Sequence, residues 1–264
     1  MYAFDFVKPA SVDEAIAALQ SDEAQPLGGG QTLIPTLKQR LAMPSALVSL
    51  AGLSDLVGVS ASGGVLSVKG ATPHQMVSEQ SDFPALAALA SHIGDPAVRH
   101  RGTIGGSLAN NDPAACYPSA ALACGATIVA RGPEGAREIA ADDYFTGLFE
   151  TSLNEGEIIT EVRFPIPQAA CYMKFEQPAS RFALVGAFVA KFADGVKVAI
   201  TGAGEEGVFR WTEAEVALSG AFSPDSLDGL TVSPEGLMGD IHATPEYRAH
   251  LIKVMTKRAV AAAA

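Results

Sequence analysis

Cysteine is scarce in this 264-residue chain. There are three, Cys116, Cys124 and Cys171, and no two stand at the CxxC spacing of a redox or metal pair. The odd, scattered set argues against a disulfide framework and cannot by itself supply the four thiolates of an iron–sulfur cluster. A reduced, cytoplasmic compartment is the expectation that follows. Histidine is thin as well: five residues, dispersed, with no HExxH and no pair at ligand spacing, so no metal is assigned. Positive charge is short, with 18 Lys and Arg against 29 Asp and Glu and a formal net charge of -11. Such a surface repels nucleic acid and anionic membranes, and neither is expected as a partner. Long apolar runs are missing, so no membrane span is expected. The opening MYAFDFVKPASVDEA lacks the basic and apolar regions of a signal peptide. No repeat and no low-complexity segment is visible.

Core-forming material is plentiful. Hydrophobic residues reach 48% and charged residues 18%, enough for one large domain or two ordinary ones. The alternation in YAFDFVKP predicts a short strand. Ser11 then caps a helix over SVDEAIAALQ, with Glu14 completing a capping box. TLIPTLKQRLAMP predicts a helix with Leu33, Leu37 and Leu41 on one face, closed by Pro44. Strands are expected in ALVSLAGL, GVLSVKGAT, ATIVA and EGEIITEVRFPIP. Thr72 and Pro73 would start a helix, as would PALAALASHI and a segment from about Pro118. Between them, the small-residue stretch from Arg99 reads as strand, turn and loop. CYMKFEQ, LVGAFVAKF and GVKVAITGA read as three successive strands, followed by helices over 212–218 and 245–261. The Pro-flanked segment 165–167 is the expected domain boundary.

Three glycine patterns bear on chemistry. PLGGGQTLIP and RGTIGGSL each set adjacent glycines beside hydroxyl residues. Without Cβ atoms, successive backbone N–H groups can converge on an anion, and the first loop runs into a helix whose N-terminus favours phosphate. Either cluster alone is also what an ordinary turn would carry; the pair is more specific. No Gly-Lys-Ser/Thr follows, so the P-loop of ATPases and kinases is ruled out. ITGAGEEG has GxGxxG spacing after an apolar strand, but Glu205 and Glu206 would stand where a pyrophosphate must sit, and a strand-like VFRW follows. A hairpin turn is the reading.

PLGGGQTLIPTLKQRLAMP resembles the first flavin motif of the medium, FAD-binding subunit of molybdenum hydroxylases of the xanthine dehydrogenase and carbon monoxide dehydrogenase type. IGDPAVRHRGTIGGSLANNDPAA resembles the second. The likeness continues through EGEIITEVRFP, YMKFEQPASRFALVGAFVA and YRAHLIKVMTKRAV, and so covers nearly the whole chain. It implies an α+β fold: a two-part FAD-binding domain of the PCMH, vanillyl-alcohol-oxidase-like type over 1–167, with subdomains of about 1–55 and 56–167. A small C-terminal domain of antiparallel sheet and helices, over 168–264, would complete it.

The resemblance also implies sites. Pro26, Leu27, Gly28, Gly29, Gly30, Gln31, Thr32, Leu33 and Ile34 would wrap the FAD pyrophosphate and ribityl chain. Gly102, Thr103, Ile104, Gly105 and Gly106 would form the second wall. Asn110 and Asp112 would hydrogen-bond ribityl, ribose or phosphate groups, and Ile93 and Ile159 would meet the adenine or flavin. Lys174 would stand near the isoalloxazine, where a cation stabilises the negative charge of reduced flavin. Phe182 falls where many relatives place a tyrosine over one flavin face; both residues also suit ordinary strand positions. Departures from the pattern are Gly28 for Ala, Gln31-Thr32 around the usual hydroxyl, Asn110-Asn111 for His-Ala, Cys116 for an acid, and Phe182 itself. No catalytic residue is assigned. The implied function is electron transfer through FAD, between [2Fe–2S] clusters of a small partner and an external acceptor, NAD, a quinone or oxygen. A large partner would carry the molybdenum cofactor. The alternative is a stand-alone flavin oxidoreductase with its own substrate pocket.

Overall fold

The computed structural model describes residues 1–263. Its N-terminal unit is a small parallel sheet of β1 (Asp5–Val7), β2 (Ala24–Leu27) and β3 (Ala46–Ser49), in the order β1-β3-β2. Helix α1 (Val12–Ala18) follows β1, and α2 (Leu33–Lys38) links β2 to β3. The Ser11 hydroxyl accepts from the Glu14 N–H, and the Glu14 carboxylate takes the N–H of Ala10, so the capping box forms with its return bond one residue early. Helix α2 is shorter than its pattern suggested. Arg40 turns left-handed at φ 61, the Leu41 N–H folds back to the Thr36 carbonyl, and Leu41 ends up exposed rather than on the buried face.

The second sheet is antiparallel, in the order β4 (Val59–Ser62), β5 (Val65–Lys69), β10 (Ile158–Pro165), β6 (Thr127–Gly132), β7 (Gly135–Ala140). Between β5 and β6 run α3 (His74–Glu79), α4 (Pro84–Ser91), α5 (Pro96–Arg99), α6 (Ile104–Asn110) and α7 (Tyr117–Cys124). After β7 come the short α8 (Ala141–Tyr144) and a hairpin of β8 (Phe145–Gly147) and β9 (Glu150–Thr151). Helix α6 was not legible as a helix: its glycines argue for a loop. Thr103 outweighs them, its hydroxyl accepting the Gly106 N–H as an N-cap, and Asn111 closes the helix left-handed at φ 42.

The third sheet, again antiparallel, runs β11 (Ala169–Glu176), β12 (Ala183–Phe192), β13 (Gly195–Gly204), β14 (Gly207–Arg210), followed by α9 (Thr212–Gly220) and α10 (Pro245–Ala263). Gly204 pairs with Gly207 across the β13–β14 hairpin, so the GxGxxG spacing is a turn. β12 reads as an unbroken apolar run because both faces are covered: α10 packs on one side and α7 on the other. All eight residues of α7 are buried. A single apolar core joins α4, α6 and α7 with the second sheet and with Tyr172, Phe188, Ala190 and Ala199 of the third.

Candidate cofactor-binding cleft

The cleft opens where the N-terminal unit meets the second sheet. Gly28, Gly29 and Gly30 leave the carboxyl end of parallel strand β2, the position at which open α/β sheets hold ligands. The Gly102–Thr103 segment meets them. A Cβ on Gly29 would overlap the Arg101 carbonyl, and one on Gly102 would lie 2.6 Å from Nε2 of His74. Gly29 is thus demanded by the two segments packing backbone to backbone, and Gly102 by the imidazole of His74 behind it.

Around this junction lies a cavity of about 640 Å³, in the range of small-molecule sites. Its walls include Pro26 through Leu33, Ile93, Gly102, Thr103, Gly105, Gly106, Asn110, Asp112, Ile159, Lys174 and Phe182. Two of the residues expected here stand off the wall. Ile34 packs its side chain behind Gly30, and Ile104 is wholly enclosed in the core. The sequence reading passed over His74, Ser107, Glu157, Ser180 and Arg181, which also line the cleft. They come from four separate segments, and no local pattern marks them.

The two segments use their amides differently. Among the described residues, the N–H groups of Gly28 to Leu33 donate to no backbone carbonyl or side chain, and the Thr32 hydroxyl makes no capping bond. The second segment spends its donors internally. Gly102 donates to Val98, Ile104 to Thr72, Gly105 to Gly70, and Gly106 to the Thr103 hydroxyl. The first segment therefore offers a row of unused donors at a helix start, the arrangement that receives phosphate. The second supplies shape.

The charged groups are mostly spoken for. The ammonium of Lys174, its side chain only 2% exposed, donates to the carbonyls of His92 at 2.6 Å and Arg181 at 2.8 Å. Glu176 lies 3.8 Å from it and the Cys116 thiol 3.7 Å. Lys174 therefore pins the β11–β12 turn, which carries Ser180, Arg181 and Phe182 to the cleft. Phe182 packs edge-on against His242, ring centres 5.4 Å apart. Glu157 is gripped by Arg137 through two 2.7 Å bonds, which hold its carboxyl below the usual range. Asp112 accepts the Ala114 N–H in its own turn. Asn111, the neighbour of Asn110, is buried and donates to the carbonyls of Gly147 and Glu150, tying α6 to the β8–β9 hairpin. The cleft thus holds free amide donors, apolar walls and few unpaired carboxylates, which fits a dinucleotide with a pyrophosphate. Among the described residues it presents no paired nucleophile and base.

The fold and cleft define a class, an FAD-binding α+β protein of the PCMH type. A family model described as the FAD binding domain in molybdopterin dehydrogenase matches residues 2–167. The carbon monoxide dehydrogenase medium chain of Afipia carboxidovorans is 34% identical, over 98% of this chain and 96% of the relative. The nicotine 6-hydroxylase medium subunit of Paenarthrobacter nicotinovorans is 32% identical, with 98% and 96% covered. Reconstituted carbon monoxide dehydrogenase from Oligotropha carboxidovorans superposes with a TM-score of 0.91 at 31% identity, covering 99% of this chain and 98% of that one. The chain belongs to the family of FAD-binding medium subunits of molybdenum hydroxylases, as the flavoprotein subunit of an oxidoreductase.

Proposed function

We propose that this chain carries electrons through FAD within a cytoplasmic heteromer, between iron–sulfur clusters of a small subunit and an external acceptor, NAD, a quinone or oxygen. A large subunit bearing the molybdenum cofactor hydroxylates the substrate. Bound FAD supplies the redox chemistry, exchanging electrons singly or in pairs. The chain's own residues bind and orient it. Pro26 through Leu33 wrap the pyrophosphate and adjoining ribityl chain, which the unused amides of Gly28 to Leu33 receive, with the Thr32 hydroxyl beside them. Gly102, Thr103, Gly105 and Gly106 form the facing wall; Asn110 and Asp112 contact ribose, ribityl or phosphate oxygens. Ile93 and Ile159 cover the ring systems. Lys174 and Phe182 set the environment on the flavin side, Lys174 by holding its turn in place. Residues 1–167 form the FAD-binding domain, with parts near 1–55 and 56–167, and 168–264 the C-terminal domain.

The observation that carries this reading is the row of donors from Gly28 to Leu33, at the end of a parallel strand and beside a cavity of dinucleotide size. The test is purification with native partners, followed by a visible spectrum and a subunit count. Releasable flavin, iron–sulfur absorbance and two co-purifying chains are the expected result. A lone flavin-loaded chain that turns over a substrate would replace the reading with a stand-alone oxidoreductase; absence of flavin would remove both.

A further inference from the structure

One histidine lies where the two glycine segments meet. His74 opens α3, and its backbone N–H donates to the Gly102 carbonyl at 2.9 Å. The residue is 5% exposed and lines the cleft, and its ring rests against Tyr117 with centres 5.3 Å apart. The Nε2 edge abuts Gly102, and Nδ1 is enclosed with no hydrogen-bond partner. A buried polar atom without a partner costs about 1–3 kcal/mol, and an apolar ring would fill this space without that cost. Burial first, and then the positive charge of Arg99, hold the imidazole uncharged down to about pH 4. The enclosed Nδ1 has no acceptor for a proton, whereas Nε2 is not fully enclosed and the residue lines the cleft, so the single proton is assigned to Nε2.

We propose that His74 is a neutral hydrogen-bond donor to the pyrophosphate of bound FAD. The proposal rests on the reading of the cleft as an FAD site. Its location argues for the phosphates over the ring systems. Gly102 packs against both the imidazole and Gly29, within the row of unused amides, and a Cβ on Gly28 would lie 3.0 Å from the Thr103 hydroxyl next door. A neutral donor here adds to the amide row without adding charge.

The test uses the full-length chain stripped of flavin. FAD affinity is read by flavin fluorescence for wild type, His74→Gln and His74→Phe. Phe, which removes the donor, should weaken FAD about 10-fold, and Gln, which restores an N–H, should recover most of that loss. Two measurements avoid dependence on the Phe variant folding. In ¹⁵N-histidine-labelled wild type, the His74 ring signal, assigned by its loss in His74→Gln, should move on saturation with FAD. In bound FAD, at least one pyrophosphate ³¹P resonance should differ between wild type and His74→Gln. FAD binding with unmoved His74 and ³¹P signals would overturn the proposal and leave the cleft reading standing. Failure of wild type to bind FAD would end both.

Discussion

Gly29 has no room for a side chain, because the Arg101 carbonyl occupies the place where its Cβ would be. Gly29→Ala must push the two glycine segments apart, a backbone displacement of the kind that costs about 1–3 kcal/mol. Urea unfolding of the flavin-free chain is expected to show that loss, so the packing defect is separable from lost ligand contacts. FAD affinity should fall with it, since the donor row shifts. His74 gives a second prediction. Its imidazole titrates at about 4 when folded against 6.5 as its ordinary value. Between these values the unfolded chain binds more protons, so stability is present above about pH 6.5 and is lost as pH falls toward 4. Near pH 5 the loss attributable to this one residue is about 2 kcal/mol. Urea midpoints at pH 7.5 and 5.0 should therefore drop less in His74→Gln than in wild type; equal drops would mean the imidazole is not held neutral.

Elements show what a sequence pattern can and cannot carry. Thr103 caps α6 through a 3.1 Å bond from the Gly106 N–H, and Thr103→Val, which keeps the shape and removes the acceptor, should cost about 1 kcal/mol in thermal or urea unfolding. That helix was hidden because glycine weighs against helices wherever it occurs, while the cap that overrides it is one hydroxyl. The β13–β14 hairpin was legible, since two adjacent glutamates forbid a phosphate and suit a turn. The limits of α2 were not, because Arg40 adopts a left-handed φ that no residue-type preference announces. The site divides the same way. The glycine segments could be read because their chemistry lies in consecutive residues. Their internal use of amides could not, since it depends on Gly70 and Thr72 brought from elsewhere. His74 escaped notice for the same reason: its meaning lies in touching Gly102, 28 positions away in the chain.

At the scale of the whole molecule, the sheets change hands between Pro165 and Ala169, yet the core does not stop there. Helix α7 is buried on every side, and part of its cover is Phe188, Ala190 and Ala199 from β12 and β13. Lys174 reaches back to His92, and the Thr201 hydroxyl lies within hydrogen-bond reach of the carbonyls of Pro113 and Ala115 beside the cleft, with one proton to give between them. Removing residues 168–264 would uncover the apolar face of α7, leave those carbonyls without partners, and delete the turn bearing Phe182. Each exposed large apolar side chain forfeits about 1.5–3 kcal/mol of burial, and several together exceed the 5–15 kcal/mol by which domains are ordinarily stable. A fragment of residues 1–167 is therefore expected to aggregate or remain partly folded, with lost near-ultraviolet dichroism and no FAD retention. The full chain should unfold in urea as one transition by fluorescence of Trp211, which lies in the C-terminal sheet's core, and by release of FAD from the cleft. Two well-separated transitions, or a 1–167 fragment that keeps flavin, would show that the cleft is built without the C-terminal sheet.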